Sequence, residues 1–440
     1  MTDPPRDAAP TLARVMGRWT VTLLVINAII GSGIFGLPSV VVRLVGPASP
    51  WAWIVGAVGN AVIVLCFAEV ASRFTAAGGA YLYARESLGR LAAIQVGWLS
   101  YLTRLSAVAA AANLFTDNLA EFFPAVEREA VRVTVLSVML ALFALVNYRG
   151  ARGSAWLSNF FTVSKLLPIS AFVGAGIVFL ALRDPAPAAV PAAADPDWIQ
   201  ALVLVMFAFG GFDNAVLAMG EAKNPRRDAP FALGLAMLFM TALYTVVQLL
   251  VNRALPDPGA TDRPLADAAR VFLGPAGGKL LAAGAVISVV GFLVANFLGA
   301  PRLTFALSEH RDAPAWLGRI HPRFRTPYLS ILVFAFLVWA LAVIGNFQGN
   351  ATLSGVTRLF VYGSTCAALI VLRRRGDGEA WFPVPGGPVL GAIGIGFCAL
   401  LAFRMGWAEL KVVAVVAALA LVHWLIVRRA AAGKAPAPEG

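Results

Sequence analysis

Two clusters of glycine interrupt long apolar stretches of the chain. The first is Gly31-Ser32-Gly33, and the second is Gly210-Gly211, with Asp213 shortly after it. Glycine in a helix interior costs about 1 kcal/mol relative to alanine, so each cluster predicts a break in a helix. A break exposes N–H groups that favour an anion and carbonyl groups that accept from a cation. The alternative is that these small residues only allow helices to pack closely.

Four charged residues also lie inside apolar stretches: Arg104, Lys165, Asp213 and Arg358. A Lys at the centre of a bilayer costs roughly 2.5–3.5 kcal/mol on insertion scales. We therefore expect Lys165 to face protein or water, the alternative being that it snorkels to an interface. The guanidinium of Arg104 keeps its proton and needs an acceptor, for which Asp213 is the candidate. Arg358 is left without an assignment.

The composition indicates what surrounds these residues. Hydrophobic residues make up 59% of the 440 residues and charged residues 13%, whereas soluble chains have about 45–50% and 25%. This excludes disorder and an ordinary soluble domain. The net charge of +12 is too dispersed among apolar runs to form a nucleic-acid groove. The three cysteines show neither metal-ligand spacing nor a disulfide pattern.

A membrane protein with twelve spans is the prediction, because one span needs roughly 20 apolar residues. The first apolar run is interpreted as a retained helix and not as a signal peptide. With both termini cytoplasmic, the cytoplasmic segments carry about twice as many Lys and Arg as the outer ones. The predicted spans are 20–43, 50–72, 93–116, 131–148, 159–182, 198–219, 230–252, 279–305, 329–345, 351–372, 387–403 and 408–427.

The glycine clusters fall in the first and the sixth span. This offset is typical of two five-helix repeats with inverted topology and a binding site where the breaks meet. The predicted division is a tail 1–18, repeats 19–182 and 198–372, a final helix pair 387–427 and a tail 428–440. Residues 253–278 are expected to form the longest polar connection.

Several motifs resemble bacterial amino acid permeases of the amino acid–polyamine–organocation superfamily, in order and spacing over about 300 residues. They are Asn27-Ala-Ile-Ile-Gly-Ser-Gly-Ile-Phe35, Ala68-Glu69-Val-Ala-Ser-Arg73, Gly78-Gly79-Ala-Tyr81-Leu-Tyr83, Gly220-Glu221-Ala-Lys223-Asn224-Pro225, Pro301-Arg302-Leu-Thr-Phe-Ala-Leu-Ser and His321-Pro322-Arg323-Phe324-Arg325-Thr326-Pro327.

The resemblance implies an all-α polytopic membrane protein of twelve transmembrane helices. The fold would be the 5+5 inverted-repeat, leucine-transporter-type fold, with helices 1 and 6 broken. It also implies a non-enzymatic secondary transporter in the cell (inner) membrane that moves an amino acid or amine by alternating access. Proton-coupled symport is the first expectation, and exchange is the alternative.

The resemblance further implies how a substrate is held. The turn at Gly31, Ser32 and Gly33 would bind the substrate carboxylate, and carbonyl groups would receive its ammonium. Those carbonyls belong to Ile29, Phe207 and Gly210. Phe207 would also cover the substrate, while Phe209 and Phe212 either line the site or pack in the core.

The same resemblance implies roles for the charged residues. Lys165 would bridge the first span to the scaffold and titrate during transport. Arg104 either forms a structural pair with Asp213, which we favour, or meets an anionic substrate side chain. Glu221 would belong to an inner gate, the alternative being a solvated loop.

Other function classes receive less support. The chain carries no phosphate-binding Gly-x-x-x-x-Gly-Lys-Ser/Thr loop, no metal-ligand spacing and no catalytic triad, so we expect no cofactor, metal or enzymatic activity. A channel or a transporter-like sensor remains a rival. The expected partners are an amino acid or amine substrate, protons and membrane lipid, without nucleic acid. The phenylalanines at the breaks favour a neutral substrate.

Overall fold

The chain folds into a bundle of helices. The computed structural model describes residues 17–74, 79–150, 155–183, 190–213, 223–376 and 379–432, and this part holds helices without β-strands. The first half contains α1 Arg18–Ile29, α2 Gly33–Val45, α3 Ser49–Ser72, α4 Gly79–Leu88, α5 Arg90–Leu119, α6 Glu129–Tyr148 and α7 Ala155–Arg183. The second half contains α8 Trp198–Ala208, α9 Pro225–Ala254, α10 Pro264–Glu309, α11 Tyr328–Ile344, α12 Phe347–Arg375, α13 Gly387–Ala402 and α14 Trp407–Ala432.

Length and hydropathy suit these helices to a membrane. Within the described ranges, seven helical stretches are long and apolar enough to cross a bilayer. Four shorter apolar helices accompany them: Arg18–Ile29, Trp198–Ala208, Tyr328–Ile344 and Gly387–Ala402. Two of the four, α1 and α8, are short because each ends at a predicted glycine break.

One prediction about a connection is wrong. Residues 253–278 do not form a continuous polar connection, because α10 already begins at Pro264. Proline suits the first turn of a helix, where its missing N–H is not needed, and the carboxylate of Asp267 lies in that turn. The helix kinks at Gly274, where φ is 72°, and then continues to Glu309.

Helix packing brings the two breaks to the centre of the bundle. Helix α12 packs against α5, α13, α8 and α3, while α10 packs against α5 and α7. Helix α1 packs on α9, and α2 packs on α8. The close approach of α3 to α8 depends on Gly56, since a Cβ there would overlap the side chain of Val205. The elements that carry the breaks are therefore surrounded by protein.

Candidate binding site at the two helix breaks

The first break separates α1 from α2. Helix α1 closes with a hydrogen bond from the N–H of Ile30 to the carbonyl of Ile26, at 3.0 Å. The first hydrogen bonds of α2 are donated by Phe35 and Gly36 to the carbonyl of Ser32, each at 3.2 Å. The N–H groups of Gly33 and the adjacent Ile34 come before these first donors, so they are not used in the hydrogen bonds of α2. They form the positive end of a helix, where an anion is stabilised.

The second break follows α8. Helix α8 ends at Ala208, and the N–H of Gly210 donates to the carbonyl of Phe207 at 3.1 Å. Gly211 has φ of 107°, a conformation that side-chain-bearing residues rarely adopt. Its N–H donates to Oδ1 of Asp213 at 3.1 Å. The Asp213 side chain thus stabilises the turn.

The two breaks touch each other. A Cβ on Gly33 would lie 3.0 Å from Cα and Cβ of Ala208, and a Cβ on Gly211 would overlap the carbonyl oxygen of Ala28. Glycine is therefore required at Gly211 for both its backbone conformation and its contact with α1. The first turn of α2 and the last residue of α8 are therefore in direct contact.

Tyr244 of α9 joins the breaks, and sequence reasoning missed it. Its hydroxyl lies 3.1 Å from the carbonyl of Ala208 and 3.4 Å from the carbonyl of Ile29. Its ring packs on Phe209 and Trp53, with ring centroids 5.2 and 4.9 Å away. A tyrosine inside an apolar span needs a hydrogen-bond partner, and that need was the available signal. The Ile29 carbonyl, predicted to receive a substrate ammonium, already lies near this hydroxyl.

Lys165 of α7 reaches the end of α1. Its ammonium donates to the carbonyl of Asn27 at 2.6 Å and to that of Ile30 at 2.8 Å, and the residue is 9% exposed. These carbonyls lie at the negative end of a helix, where a cation is stabilised. The structure thus directs Lys165 to the first break and not to an end of the bundle.

The ion pair of Asp213 differs from the one that we predicted. Nη1 of Arg358 lies 3.7 Å from Oδ1 of Asp213 and donates to the hydroxyl of Tyr362 at 2.8 Å. Helix α12 places this guanidinium directly over Gly210, where a Cβ would overlap it. Arg358, which the sequence left unassigned, therefore takes the position predicted for Arg104.

Arg104 lies on α5, half-buried among neighbours that are mostly buried. A Cβ on Gly299 of α10 would lie 3.9 Å from its Nη1. It is within electrostatic range of both Asp213 and Arg358. Among the residues that the structure describes, the region of the second break thus contains two guanidinium groups and one carboxylate.

The phenylalanines around the second break divide into two groups. Phe209 and Phe212 are fully buried, and Phe212 packs on Phe67 and Tyr362, so both belong to the core. Phe207 instead meets Phe347 edge to face, with centroids 6.4 Å apart. Phe347 lines a cavity of about 250 Å³ on the far side of the break. A neighbour of Phe207 is therefore an aromatic, Phe347, that sequence reasoning missed.

Glu69 anchors one end of the bundle. Its fully buried carboxylate accepts from Arg73 at 2.9 Å, from Arg373 at 2.6 and 2.7 Å, and from the N–H of Val384 at 2.8 Å. These bonds tie α3 to the end of α12 and to the segment before α13. Glu221, the predicted gate residue, lies outside the described residues, and its neighbour Lys223 is exposed.

Asp312 forms a second buried cluster at the same end. It accepts from the hydroxyl of Tyr81 at 2.5 Å and from Nε of Arg90 at 2.8 Å. Burial, together with the negative charge of Asp312, raises the pKa of Tyr81 to about 12. Tyr81 therefore stays protonated and donates at neutral pH. The cluster joins α4 and the start of α5 to the loop after α10.

Comparison with known proteins identifies the family. The model of a family described as amino acid permease matches residues 16–424. The chain belongs to this amino acid permease family, within the amino acid–polyamine–organocation superfamily. The permease is a transporter and not an enzyme. The part of it that the structure describes holds no group of three or more His, Cys, Asp or Glu side chains that could bind a metal.

Relatives of this permease have diverse names. A branched-chain amino acid permease of Bacillus subtilis is 29% identical over 90% of this chain and 89% of the relative. A methylthioribose transporter of the same organism is 28% identical over 96% of this chain and 95% of the relative. A serine/threonine exchanger, also from Bacillus subtilis, is 26% identical over 84% of this chain and 85% of the relative. The permease is thus an amino acid transporter and a multi-pass membrane protein.

Proposed function

We propose that the permease moves an amino acid across the cytoplasmic membrane by alternating access. The proposed architecture has twelve spans, with inverted repeats at 19–182 and 198–372 and a helix pair at 387–427. The observation that carries the proposal is the contact between the breaks, Gly33 on Ala208 and Gly211 on Ala28. Discontinuous helices that meet inside a bundle form substrate sites in transporters.

The substrate backbone fits the groups at the breaks. Its carboxylate binds the N–H groups that begin α2, at Gly31, Ser32 and Gly33, because they form the positive end of a helix dipole. Its ammonium binds carbonyl groups of Phe207 and Gly210, together with that of Ile29. Phe207 covers the bound substrate from the side of Phe347.

Lys165 couples transport to protons in this proposal. Its ammonium holds the end of α1 through Asn27 and Ile30. Loss of the proton would leave a neutral amine, which binds carbonyl groups less strongly. Protonation of Lys165 therefore sets the position of α1 relative to α7, which makes proton-coupled symport the first candidate.

Exchange is the second candidate mechanism. It is supported by the serine/threonine exchanger among the relatives. In an exchanger the substrate-free protein changes poorly between its two orientations, so uptake requires substrate on the opposite side of the membrane. The two candidates share the same binding site. They differ in whether the protein can restore the starting orientation of that site without bound substrate.

The proposed location is the cell inner membrane, with tails 1–18 and 428–440 in the cytoplasm. The basic residues favour this orientation. Glu69 and Asp312 then lie at the cytoplasmic end, and the cavity beside Phe347 lies at the outer end. Glu221 stays a proposed gate residue of the cytoplasmic side.

Purified permease in proteoliposomes tests the function. Uptake of labelled amino acids is measured with a proton gradient alone, with internal substrate alone and with neither. We expect accumulation of at least one amino acid. Dependence on the gradient supports symport, and dependence on internal substrate supports exchange. Binding of an amino acid without any uptake would indicate a sensor and contradict the proposal.

A further inference from the structure

Arg358 has an unused hydrogen-bonding edge. The residue lies inside α12 and is only 9% exposed. Its Nη1 is occupied by Tyr362 and lies next to Asp213. Its Nε is buried and has no hydrogen-bond acceptor in the described part of the chain. A buried guanidinium donor without an acceptor is costly, so it marks a place where a ligand belongs.

The free edge has a specific chemistry. Nε and Nη2 of a guanidinium point in parallel and bind the two oxygens of a carboxylate as a fork. Lys, His and neutral donors do not offer this geometry. Among the groups of an amino acid, the one that fits the unused edge of Arg358 is a carboxylate, and one of its oxygens would satisfy the buried Nε.

The position of the edge relates it to the substrate. The guanidinium lies against Gly210, where a Cβ would overlap it. Gly210 is also one of the residues whose carbonyl is proposed to receive the substrate ammonium. A carboxylate on the Arg358 edge would thus be a second carboxylate of the same small molecule, since the first occupies the start of α2.

The charges around the breaks agree with an anionic ligand. The described charged side chains there are Lys165, Arg104, Arg358 and Asp213, and the only carboxylate among them already accepts from the N–H of Gly211. Uncompensated charge inside a membrane is expensive. A substrate with net negative charge reduces the excess of positive charge, whereas a neutral amino acid leaves it unchanged.

We propose that Arg358 binds the side-chain carboxylate of the substrate, and that the permease transports acidic amino acids. This inference rests on the proposed amino acid transport, and it replaces the neutral side chain expected from the phenylalanines. Phe209 and Phe212, on which that expectation partly rested, are buried in the core and do not define the side-chain pocket.

Uptake in proteoliposomes tests the inference by comparing glutamate with glutamine and aspartate with asparagine. Each pair has nearly the same shape and differs by one charge. We expect glutamate or aspartate to have a KM roughly ten- to hundredfold below that of its amide, the range expected for a charged hydrogen bond. Arg358→Gln should remove this preference by raising the KM of the acid while uptake of the amide persists.

Two further variants separate binding from structure. Arg358→Lys keeps the charge but not the fork, so it should still weaken acid binding. Arg253→Gln removes an exposed charge from the last turn of α9 and should leave the preference unchanged. Should Arg358→Gln fail to fold, thermal denaturation of the unmodified permease gives a second readout, in which glutamate or aspartate should raise the Tm more than its amide.

The outcomes distinguish this inference from the proposed function. Uptake of neutral amino acids without uptake of glutamate or aspartate would overturn the acidic substrate and leave amino acid transport intact. Equal loss of acid and amide uptake in a folded Arg358→Gln variant would assign Arg358 to support of the break. Uptake of no amino acid would overturn both.

Discussion

Gly211 packs directly against Ala28. The turn after α8, which contains Gly211, lies against the Ala28 carbonyl near the end of α1. The contact leaves no space for a side chain. Movement of α1 must therefore displace the second break, or separate from it. This relationship links the two halves of the site mechanically, without a charged group.

Gly211→Ala should strongly reduce transport. A positive φ costs about 1–3 kcal/mol for a residue with a Cβ, and here the Cβ also overlaps the carbonyl of Ala28. We expect uptake to fall more than tenfold and the Tm in detergent to decrease. Gly234→Ala is the matched control, since Gly234 is helical and exposed with nothing near its Cβ position. Equal effects of both variants would contradict the proposed contact.

Tyr244→Phe should loosen the connection between the breaks. It removes a hydroxyl next to the carbonyls of Ala208 and Ile29, and a typical hydrogen bond contributes about 0.5–1.5 kcal/mol. We expect a small decrease of Tm and a larger decrease of the uptake rate. Tyr328→Phe is the control, because the contacts shown for Tyr328 involve its ring. An unchanged uptake rate would show that the hydroxyl does not act on the breaks.

Lys165→Ala should strongly reduce uptake at every pH. It removes two charge-assisted hydrogen bonds from the end of α1, to Asn27 and Ile30. The uptake that remains should also lose its pH dependence, because Lys165 is the proposed titrating group. Uptake between pH 5 and 9 measures this, and Lys279→Ala, at an exposed position of α10, is the control. An unchanged rate and pH profile would remove Lys165 from the mechanism.

Glu69→Gln should destabilise the permease. The amide cannot balance Arg373 and Arg73, and breaking a buried ion pair costs about 3 kcal/mol. Thermal denaturation in detergent should show a clear decrease of Tm. Glu129→Gln removes an exposed carboxylate paired with Arg132 and should change the Tm little. A small effect at Glu69 would mean that Arg373 finds another acceptor.

Tyr81→Phe should lower the Tm by an amount that is constant from pH 6 to 9. The raised pKa of Tyr81, about 12, means that the folded state favours its protonated form. Its contribution is therefore complete below the unfolded pKa of about 10 and decreases as the pH rises toward 12. The difference in Tm between the unmodified and variant permease should shrink above pH 10. A difference that grows with pH would contradict the hydrogen bond to Asp312.

The sequence predicted the breaks because glycine clusters conflict with helix propensity inside apolar spans. From its residues alone it predicted only that Lys165 faces protein or water, because a charge in the bilayer interior is costly. The contact of Lys165 with the first span was an expectation from the resemblance to amino acid permeases. The predictions of the breaks and of the burial of Lys165 depend on local chemistry, which a single sequence contains. Local chemistry identifies which groups need partners, but it does not identify the partners.

The partners themselves were harder to predict. We predicted Arg104 as the partner of Asp213 and left Arg358 without an assignment, because the observed pair with Arg358 depends on how α12 packs over Gly210. Tyr244 is distant in sequence from Ile29, so its bridge follows from the packing of α9 on α1. The helix that begins at Pro264 was overlooked because charged residues around it obscured its first turn.

The phenolic hydroxyl of Tyr244 carries a single proton but has two carbonyl acceptors within reach. It donates well to only one of them at a time, and in this conformation the shorter distance is to Ala208. Ala208 and Ile29 therefore compete for one donor. A rearrangement that brought Ile29 closer to the hydroxyl would therefore weaken the hydrogen bond to Ala208, so the end of α1 and the end of α8 depend on the same proton.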